Sequence, residues 1–200
     1  MHFPENFIPS YEGFFEHLKF PIKGVIHVGG HVGEEIPSYR KFTSNIHIFE
    51  PQKECFDSIP NDVKKYNVAL GDKEGIAKMH IANNKQSSSL LKPKTHLTEH
   101  PWVVFTGTME VPVKTLDSFN IQDCNFLNMD VQGYELNVLK GAENTLKFVD
   151  MVYSEVNIAE LYEGNPLLDE MDEWLKERGF IRVWHVITEH KWGDALYARI

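Results

Sequence analysis

The chain has 200 residues, of which 42% are hydrophobic and 24% are charged, and its formal net charge is −9. This size and composition are typical of one globular domain with a sizeable core. The acidic balance argues against a nucleic-acid binder, which needs a basic face to meet phosphates. Apolar runs are shorter than the ~20 residues of a membrane span, and the N-terminus shows no secretory signal. We therefore expect a cytoplasmic protein with no membrane span, in which Cys55 and Cys124 are reduced thiols.

The first part of the chain reads as an extension that precedes the main domain. Residues 1–21 are predicted to pack on a single domain that spans residues 22–200. Ser10 has the side chain of a helix N-cap, and a helix after it would turn Phe14, Phe15 and Leu18 inward.

Strand and helix patterns then alternate along the chain. This alternation predicts a mostly parallel sheet with helices on both faces. The helix near the end is expected to start with Asn165 as N-cap and Pro166 at its first position, and to stop at Gly179. A terminal hairpin would add an antiparallel edge strand. The predicted strands are 24–29, 45–50, 64–70, 75–82, 109–116, 124–130 and 149–156, with 180–187 and 194–200 in the hairpin; the other predicted helices are 34–42 and 134–148.

The first strand runs into a glycine turn, "VIHVGGHVGEEIPSY", at residues 25–39. Gly29, Gly30 and Gly33 come close to the dinucleotide-binding spacing but do not match it. The helix that follows opens with Glu34 and Glu35, which would repel a phosphate. The turn therefore favours a nucleoside without phosphates, although glycines after a strand are often only turn residues.

Glu50 ends the next strand, about 20 residues after the glycines, where an acid accepts hydrogen bonds from the two ribose hydroxyls. A glycine turn and an acidic side chain that binds ribose, with no site for a phosphate, suit S-adenosylmethionine. Its positive sulfonium is favoured by an acidic pocket. The alternative is that Glu50-Pro51 is a plain strand exit.

A second constellation lies in "NFLNMDVQGYELNVLKGA", residues 125–142. Here the sequence resembles the FkbM-type methyltransferases, with Asp130, Gln132, Gly133 and Glu135 followed by Leu-Lys-Gly-Ala at 139–142. Further blocks agree in order over residues 22–200: "VIHVGGHVG", "FEP", "NVALGD", "SSSLLKP", "VPVKTLDSF", "YSEVN" and "WGDALY". The chain departs from the family at His27, where Asp is common, and at Asn128, where Lys is common.

The resemblance implies an α/β fold of the class I methyltransferase type, which is Rossmann-like. Its seven-stranded, mostly parallel sheet has an antiparallel last strand. Residues 22–200 would be the methyltransferase domain, and S-adenosyl-L-methionine the cofactor. The implied reaction is O-methylation, with a sugar hydroxyl as the leading acceptor, in glycan or polysaccharide biosynthesis. The domain would be fused to glycosyltransferases or work beside them.

Residues at strand ends are the candidates for the cofactor site, because ligands of such sheets bind outside the carboxyl ends of the strands. The resemblance also places the serines of the loop 83–93 near the donor. The predicted cofactor-binding residues are Gly29, Gly30, His31, Gly33, Glu50, Pro51, Ala69, Leu70, Ser88, Ser89, Asp130 and Gln132.

Asp130 and Glu155 are the candidates for the general base that activates the acceptor hydroxyl. Asp130 could instead bind the donor's amino group or cap a helix, and Glu155 could bind the acceptor or anchor a loop. The two could also share a divalent metal, although we assign no metal site. The acceptor is predicted to contact Asn157, His190, Trp192 and Asp194, where an aromatic ring beside an acid suits a sugar. The competing functions are an NAD-type oxidoreductase and a catalytically silent nucleoside-binding domain.

Overall fold

The computed structural model describes residues 9–18 and 21–200, apart from the side chains of Glu12 and Leu18. The predicted inward position of Leu18 lies outside the described residues. Among the residues described, no helix is long and apolar enough to cross a bilayer. The helices are α1 (Tyr11–Leu18), α2 (Ile36–Tyr39), α3 (Lys53–Ser58), α4 (His96–Glu99), α5 (Glu135–Lys140) and α6 (Leu168–Lys176). The strands are β1 (Val25–Val28), β2 (Ile46–Phe49), β3 (Lys64–Tyr66), β4 (Ala69–Leu70), β5 (Gly75–Ala82), β6 (Phe105–Lys114), β7 (Phe126–Met129), β8 (Met151–Asn157), β9 (Phe180–Ile187) and β10 (Trp192–Arg199).

The main sheet has seven strands in the order β3-β2-β1-β7-β8-β10-β9. β1, β2, β3, β7 and β8 pair in parallel, whereas β10 is antiparallel to both of its neighbours. The predicted seven-stranded, mostly parallel α/β sheet with an antiparallel last strand is therefore confirmed. Strand order reverses direction between β1 and β7, which places a ligand site at the carboxyl ends of these two strands.

The hairpin pattern predicted an antiparallel strand at the edge of the sheet, but the antiparallel strand lies inside the sheet. β10 lies between β8 and β9, and β9 forms the edge. The burial of the two strands explains the difference. Residues 195–198 of β10 are all buried, as expected of an interior strand, whereas most of β9 is only partly buried.

The predicted strand 64–70 is also wrong, because the chain changes sheets in the middle of it. β3 pairs with β2 in the main sheet, whereas β4 joins a separate three-stranded sheet of order β4-β6-β5. Asn67 lies at the crossing, where its side-chain amide donates to the carbonyl oxygens of Glu50 (2.9 Å) and Pro51 (3.0 Å). These bonds turn the backbone away from the ladder of the main sheet.

Several helices are shorter than their sequence patterns predict. α2 has four residues rather than spanning 34–42. The predicted helix 134–148 is α5 followed by a separate 3₁₀ turn at Thr145–Phe148. Gly141 stands between them because it packs against backbone: a Cβ there would lie 2.0 Å from the carbonyl oxygen of Gly71.

The start of α6 differs from the prediction as well. The helix begins at Leu168 rather than at Pro166, and Asn165 is not its N-cap. The side-chain oxygen of Asn165 instead accepts the N–H of Tyr162 at 2.9 Å, which closes the preceding loop. The carboxylate of Glu170 accepts the N–H of Leu167 at 2.8 Å and takes over the capping role.

The helix α1 packs on one face of the main sheet. Ser10 accepts the N–H of Gly13 at 3.0 Å, which confirms the predicted cap. Phe14 and Phe15 are buried, with ring centroids 4.9 Å from those of Trp184 and Phe126, respectively. The domain boundary between residues 21 and 22 stays a prediction.

Candidate active site

A cavity of about 740 Å³ lies at the carboxyl ends of β1, β2, β7 and β8. The segment 84–103, between β5 and β6, supplies part of its wall. Most of the predicted site residues line this cavity: Gly29, His31, Glu50, Pro51, Ala69, Leu70, Ser88, Asp130, Gln132, Glu155, His190, Trp192 and Asp194. Four predicted residues do not line it: Gly30, Gly33, Ser89 and Asn157.

The glycine turn is shaped by close approach of backbone to backbone. Gly29 has φ +83°, and a Cβ at this position would lie 1.8 Å from the carbonyl oxygen of Asp130. Gly30 packs on Ile48, whose Cγ2 would be 2.2 Å from an added Cβ. The N–H of Gly33 donates to the carbonyl oxygen of Gly30 at 2.7 Å. The glycines thus bring the ends of β1, β2 and β7 together, and only Gly29 of the three faces the cavity.

We expect Gly29→Ala to destabilise the fold by about 2–4 kcal/mol, because it combines a positive φ with a clash against backbone that cannot move aside. Urea unfolding of the variant and of the wild type gives the difference. Gly107→Ala is the matched control, since nothing lies within 4 Å of a Cβ added at Gly107. Equal losses in the two variants would contradict this account of the turn.

Glu50 is held at the centre of the turn by two backbone donors. Its carboxylate accepts the N–H of His31 at 2.9 Å and the N–H of Gln52 at 2.7 Å. The side chain is buried, and burial raises the pKa of Glu50 to about 7, despite the opposing effect of the two hydrogen bonds. The carboxylate is therefore fixed in place and lines the cavity as an acceptor for hydroxyl groups.

Gln132 connects the two candidate bases, Asp130 and Glu155, through hydrogen bonds. Its side-chain amide donates to Oδ1 of Asp130 at 2.8 Å and to Oε2 of Glu155 at 2.6 Å. Its side-chain oxygen lies 2.8 Å from the hydroxyl of Tyr162, which also lies 2.9 Å from the carbonyl oxygen of Ser87. The amide has one hydrogen for each carboxyl, so Gln132 sets the distance between them.

Asp130 and Glu155 form a pair of carboxyls in contact with each other. Asp130 is exposed and lines the cavity, and the surrounding protein raises its pKa by desolvation. Glu155 is 5% exposed, and its pKa is raised well above the ordinary value by burial and by the charge of Asp130. Two such carboxyls share a proton rather than ionise together. Glu155 holds this proton, since it is the more deeply buried of the two.

Asp194 adds a third carboxyl to this side of the cavity. It stands opposite Glu155 in the β8–β10 ladder and contacts the hydroxyl of Tyr153. Burial and the charge of Asp130 raise the pKa of Asp194 to about 6. Asn157, predicted beside it as an acceptor ligand, is buried in the sheet opposite Trp192, and its side-chain oxygen has no hydrogen-bond partner.

The two residues that depart from the family pattern face each other in the sheet. His27 of β1 is aligned with Asn128 of β7. Asn128 donates to the hydroxyls of Tyr39 (2.6 Å) and Tyr11 (3.0 Å), and Nδ1 of His27 lies 3.4 Å from the Tyr39 hydroxyl. Burial lowers the pKa of His27 to about 4, so the pair is neutral.

Histidine and tryptophan rings form one wall of the cavity, which we call the ring wall: His96, His100, Trp102, His190 and Trp192. The ring centroid of His100 lies 4.6 Å from that of His96, 4.8 Å from that of His190 and 5.3 Å from that of Trp102. Sequence reasoning missed His96 and Trp102, along with the lining residues Tyr11, Gln52, Tyr153 and Tyr162. Tyr153 begins the block "YSEVN" and Gln52 follows the block "FEP", but neither residue was singled out; the other four lie outside the quoted blocks.

Ser88 and Ser89 have structural partners. The Ser88 hydroxyl accepts the N–H of Ala82 at 3.1 Å and lies 3.3 Å from Oε1 of Gln52. The Ser89 hydroxyl donates to the carbonyl oxygen of Gln132 at 2.7 Å. Ser89 therefore holds the Gln132 backbone from behind the cavity wall.

A second group of polar side chains lies near the amino ends of the strands, away from the cavity. His47, Asp123 and Cys124 place one potential ligand atom each within 4.8 Å of one another. The ammonium of Lys64, however, lies 3.1 Å from Nε2 of His47. Spacing in the sequence did not indicate this group, because its members are brought together by the pairing of β1 with β2 on one side and with β7 on the other.

The sheet order, the cavity at the switch point and the acid after β2 define a class I methyltransferase that uses S-adenosylmethionine. The magnesium protoporphyrin IX methyltransferase of Synechocystis PCC 6803 has this fold, with a TM-score of 0.52 at 9% identity over 90% of this chain and 71% of that one. The chain belongs to the FkbM methyltransferase family, since the family's sequence model, the Methyltransferase FkbM domain, matches residues 27–182. Membership of this family sets aside the nicotinamide alternative.

One curated relative and one further solved structure are also similar to this chain. The 2-O-methyltransferase NoeI of Sinorhizobium fredii (strain NBRC 101917 / NGR234) is 33% identical over 113 residues, which is 51% of this chain and 46% of NoeI. The FkbM methyltransferase of Methylobacillus flagellatus KT has a TM-score of 0.59 at 12% identity, over 88% of this chain and 43% of that one. The similarity thus spans less than half of either relative's own length.

Proposed function

We propose that the protein is an O-methyltransferase that methylates a sugar hydroxyl in glycan or polysaccharide biosynthesis. The pair of carboxyls at Asp130 and Glu155, in a cavity with an aromatic wall, carries this proposal. A hydroxyl is a poor nucleophile and gains from a base, and aromatic faces suit the CH groups of a sugar ring. The similarity to a 2-O-methyltransferase supports transfer to oxygen.

The donor would be held by the glycine turn and the acid after β2. Glu50 would accept the ribose hydroxyls, because its carboxylate is fixed by two backbone donors and still faces the cavity. The other direct contacts would come from Gly29, His31, Pro51, Ala69, Leu70, Ser88, Asp130 and Gln132. Gly30, Gly33 and Ser89 would act indirectly, by shaping the walls.

Asp130 would be the general base. When bound, S-adenosylmethionine supplies a methyl group that is already activated by the sulfonium. Asp130 would take the proton of the acceptor hydroxyl as that oxygen is methylated, and its raised pKa makes it a better proton acceptor than an ordinary aspartate. Glu155 and Gln132 would position Asp130 through their hydrogen bonds. Asp194, His190 and Trp192 would contact the acceptor, and Asn157 would support them from the sheet.

Binding of S-adenosylhomocysteine is expected to weaken as the pH falls below about 7. The pKa of Glu50 is raised to about 7, so the acid is ionised above this pH and protonated below it. The ionised form accepts both ribose hydroxyls, whereas the protonated form loses an acceptor. Calorimetric titrations between pH 5.5 and 8.5 should show up to about a tenfold loss of affinity per pH unit on the acid side. In Glu50→Gln this pH dependence of the affinity should be absent. An equal pH dependence in the variant would contradict the assignment of Glu50 as the acceptor for the ribose hydroxyls.

The experiment that tests the function combines donor binding with acceptor screening. We expect the protein to bind S-adenosylhomocysteine and to transfer a methyl group to at least one methyl glycoside in a panel, detected by mass spectrometry. Addition of a chelator should leave the transfer intact, since we assign no metal to the site. Donor binding with transfer to amines alone would contradict O-methylation. The cytoplasmic location and the association with glycosyltransferases stay predictions.

A further inference from the structure

The charge of the cavity wall is strongly unbalanced. Among the described residues that line it there are six carboxyl side chains, one lysine and no arginine. The lysine, Lys85, has its ammonium 2.6 Å from the carboxylate of Glu54 and is therefore already paired. The six carboxyls are Glu34, Glu35, Glu50, Asp130, Glu155 and Asp194.

This excess of acid is not cancelled by the donor. S-adenosylmethionine carries one net positive charge at neutral pH. A proton is shared between Asp130 and Glu155, Glu50 is partly protonated near pH 7, and burial raises the pKa of Glu35, yet the combined negative charge of the six carboxyls still exceeds the charge of the donor. An acceptor that brings phosphate or carboxylate groups into the cavity would meet like charges at close range, in surroundings that screen them poorly.

Two of the histidines in the ring wall supply no compensating positive charge. Burial, together with the mutual proximity of the imidazoles, lowers the pKa values of His96 and His100, so both rings are neutral near pH 7. The rings themselves face the cavity, since His96, His100, Trp102, His190 and Trp192 all line it. Uncharged aromatic rings suit the CH faces of a neutral ligand.

We propose that the acceptor is a sugar unit free of phosphate and carboxylate groups, already joined at its anomeric carbon to a neutral glycan or aglycone. The enzyme would then act after glycosyl transfer, and not on the nucleotide-activated sugar. This inference rests on the proposed O-methyl transfer to a sugar. It deepens that proposal by naming the charge state of the acceptor and the class of reaction that supplies it.

The test compares the same sugar in neutral and anionic forms. Common hexoses, deoxyhexoses and N-acetylhexosamines are offered as methyl glycosides, as glycosyl 1-phosphates and as nucleoside diphosphate sugars. For every sugar that is methylated, we expect kcat/KM to be at least about tenfold higher for the methyl glycoside than for either anionic form. Equal or higher values for the anionic forms would overturn the inference and leave the proposed function standing. Binding of S-adenosylhomocysteine without methylation of any sugar would overturn both.

A charge-reversal variant tests the electrostatic cause. Glu34 lines the cavity and is half exposed, so Glu34→Lys should fold. We expect it to raise the ratio of kcat/KM for the glycosyl phosphate to that for the methyl glycoside by about tenfold. Effects on donor binding cancel in this ratio. Glu173→Lys, an exposed position on α6 that does not line the cavity, is the matched control and should leave the ratio unchanged. Equal ratios in the two variants would count against the inference.

The ring wall is tested by removing its exposed member. Trp102 is 62% exposed and lines the cavity, whereas Ile76 is 68% exposed and does not. We expect Trp102→Ala to raise KM for the methyl glycoside about tenfold without changing the affinity for S-adenosylhomocysteine. Ile76→Ala should change neither. An unchanged KM in Trp102→Ala would remove the ring wall from the acceptor site.

Discussion

Replacing Asp130 by asparagine is expected to lower kcat by about 10²–10⁴-fold while leaving the protein folded. Loss of a positioned general base costs this much, and the asparagine amide cannot take the proton of a hydroxyl. The substitution keeps the size of the side chain at a position that faces the cavity. Methyl transfer to the best acceptor, measured under saturating donor, gives the effect on kcat, and circular dichroism checks the fold.

Glu155→Gln is the informative counterpart of this variant. Because Glu155 is the member of the pair that holds the proton, an amide of the same shape replaces a neutral acid, and we expect kcat to fall by no more than about fivefold. A large loss in Glu155→Gln with little loss in Asp130→Asn would exchange the two roles. Equal large losses would indicate that both carboxyls act as one unit.

Glu50→Gln is expected to weaken binding of S-adenosylhomocysteine by about 10–100-fold. The glutamine offers a single acceptor oxygen where the carboxylate offers two, and hydrogen bonds to a charged acceptor are worth roughly 1.5–3 kcal/mol. In addition, an amide N–H would be turned toward one of the backbone donors at His31 and Gln52. Calorimetry at pH 8, where the wild-type carboxyl is ionised, measures the loss.

Glu177→Gln provides the control for Glu50→Gln, since it makes the same chemical change at a side chain that is 78% exposed and outside the cavity. We expect its affinity for the donor product to equal that of the wild type. If Glu50→Gln bound as tightly as this control, the acid after β2 would have no part in ribose recognition.

The parallel core of the fold was predictable because its strands are short apolar runs that end in distinctive residues. β1 runs into Gly29, β2 into Glu50 and β7 into Asp130, and these ends meet at one edge of the sheet. The rule that ligands lie at such an edge was enough to bring the glycine turn and the acids into one cavity.

The parts that could not be predicted depend on contacts between distant segments. Residues 64–70 form one apolar pattern, yet the bonds of Asn67 to residues 50 and 51 divide it between two sheets. In the site, Gln132 was expected to touch the donor, and it does line the cavity. The sequence did not indicate that its side chain also bridges two carboxyls and a tyrosine from beyond β8. Local pattern carries no information about such partners.

The interior position of β10 has a consequence for the way the chain acquires its structure. β8 and β9 belong to the same sheet but never touch along their length, because residues 192–199 lie between them. During synthesis, β9 has no strand to pair with until residues 192–199 have been made. Until then β8 keeps an open edge whose backbone groups invite pairing with another chain. Asp194 lines the cavity from β10 and is placed in the same step, so closure of the sheet and completion of the site are a single event of folding.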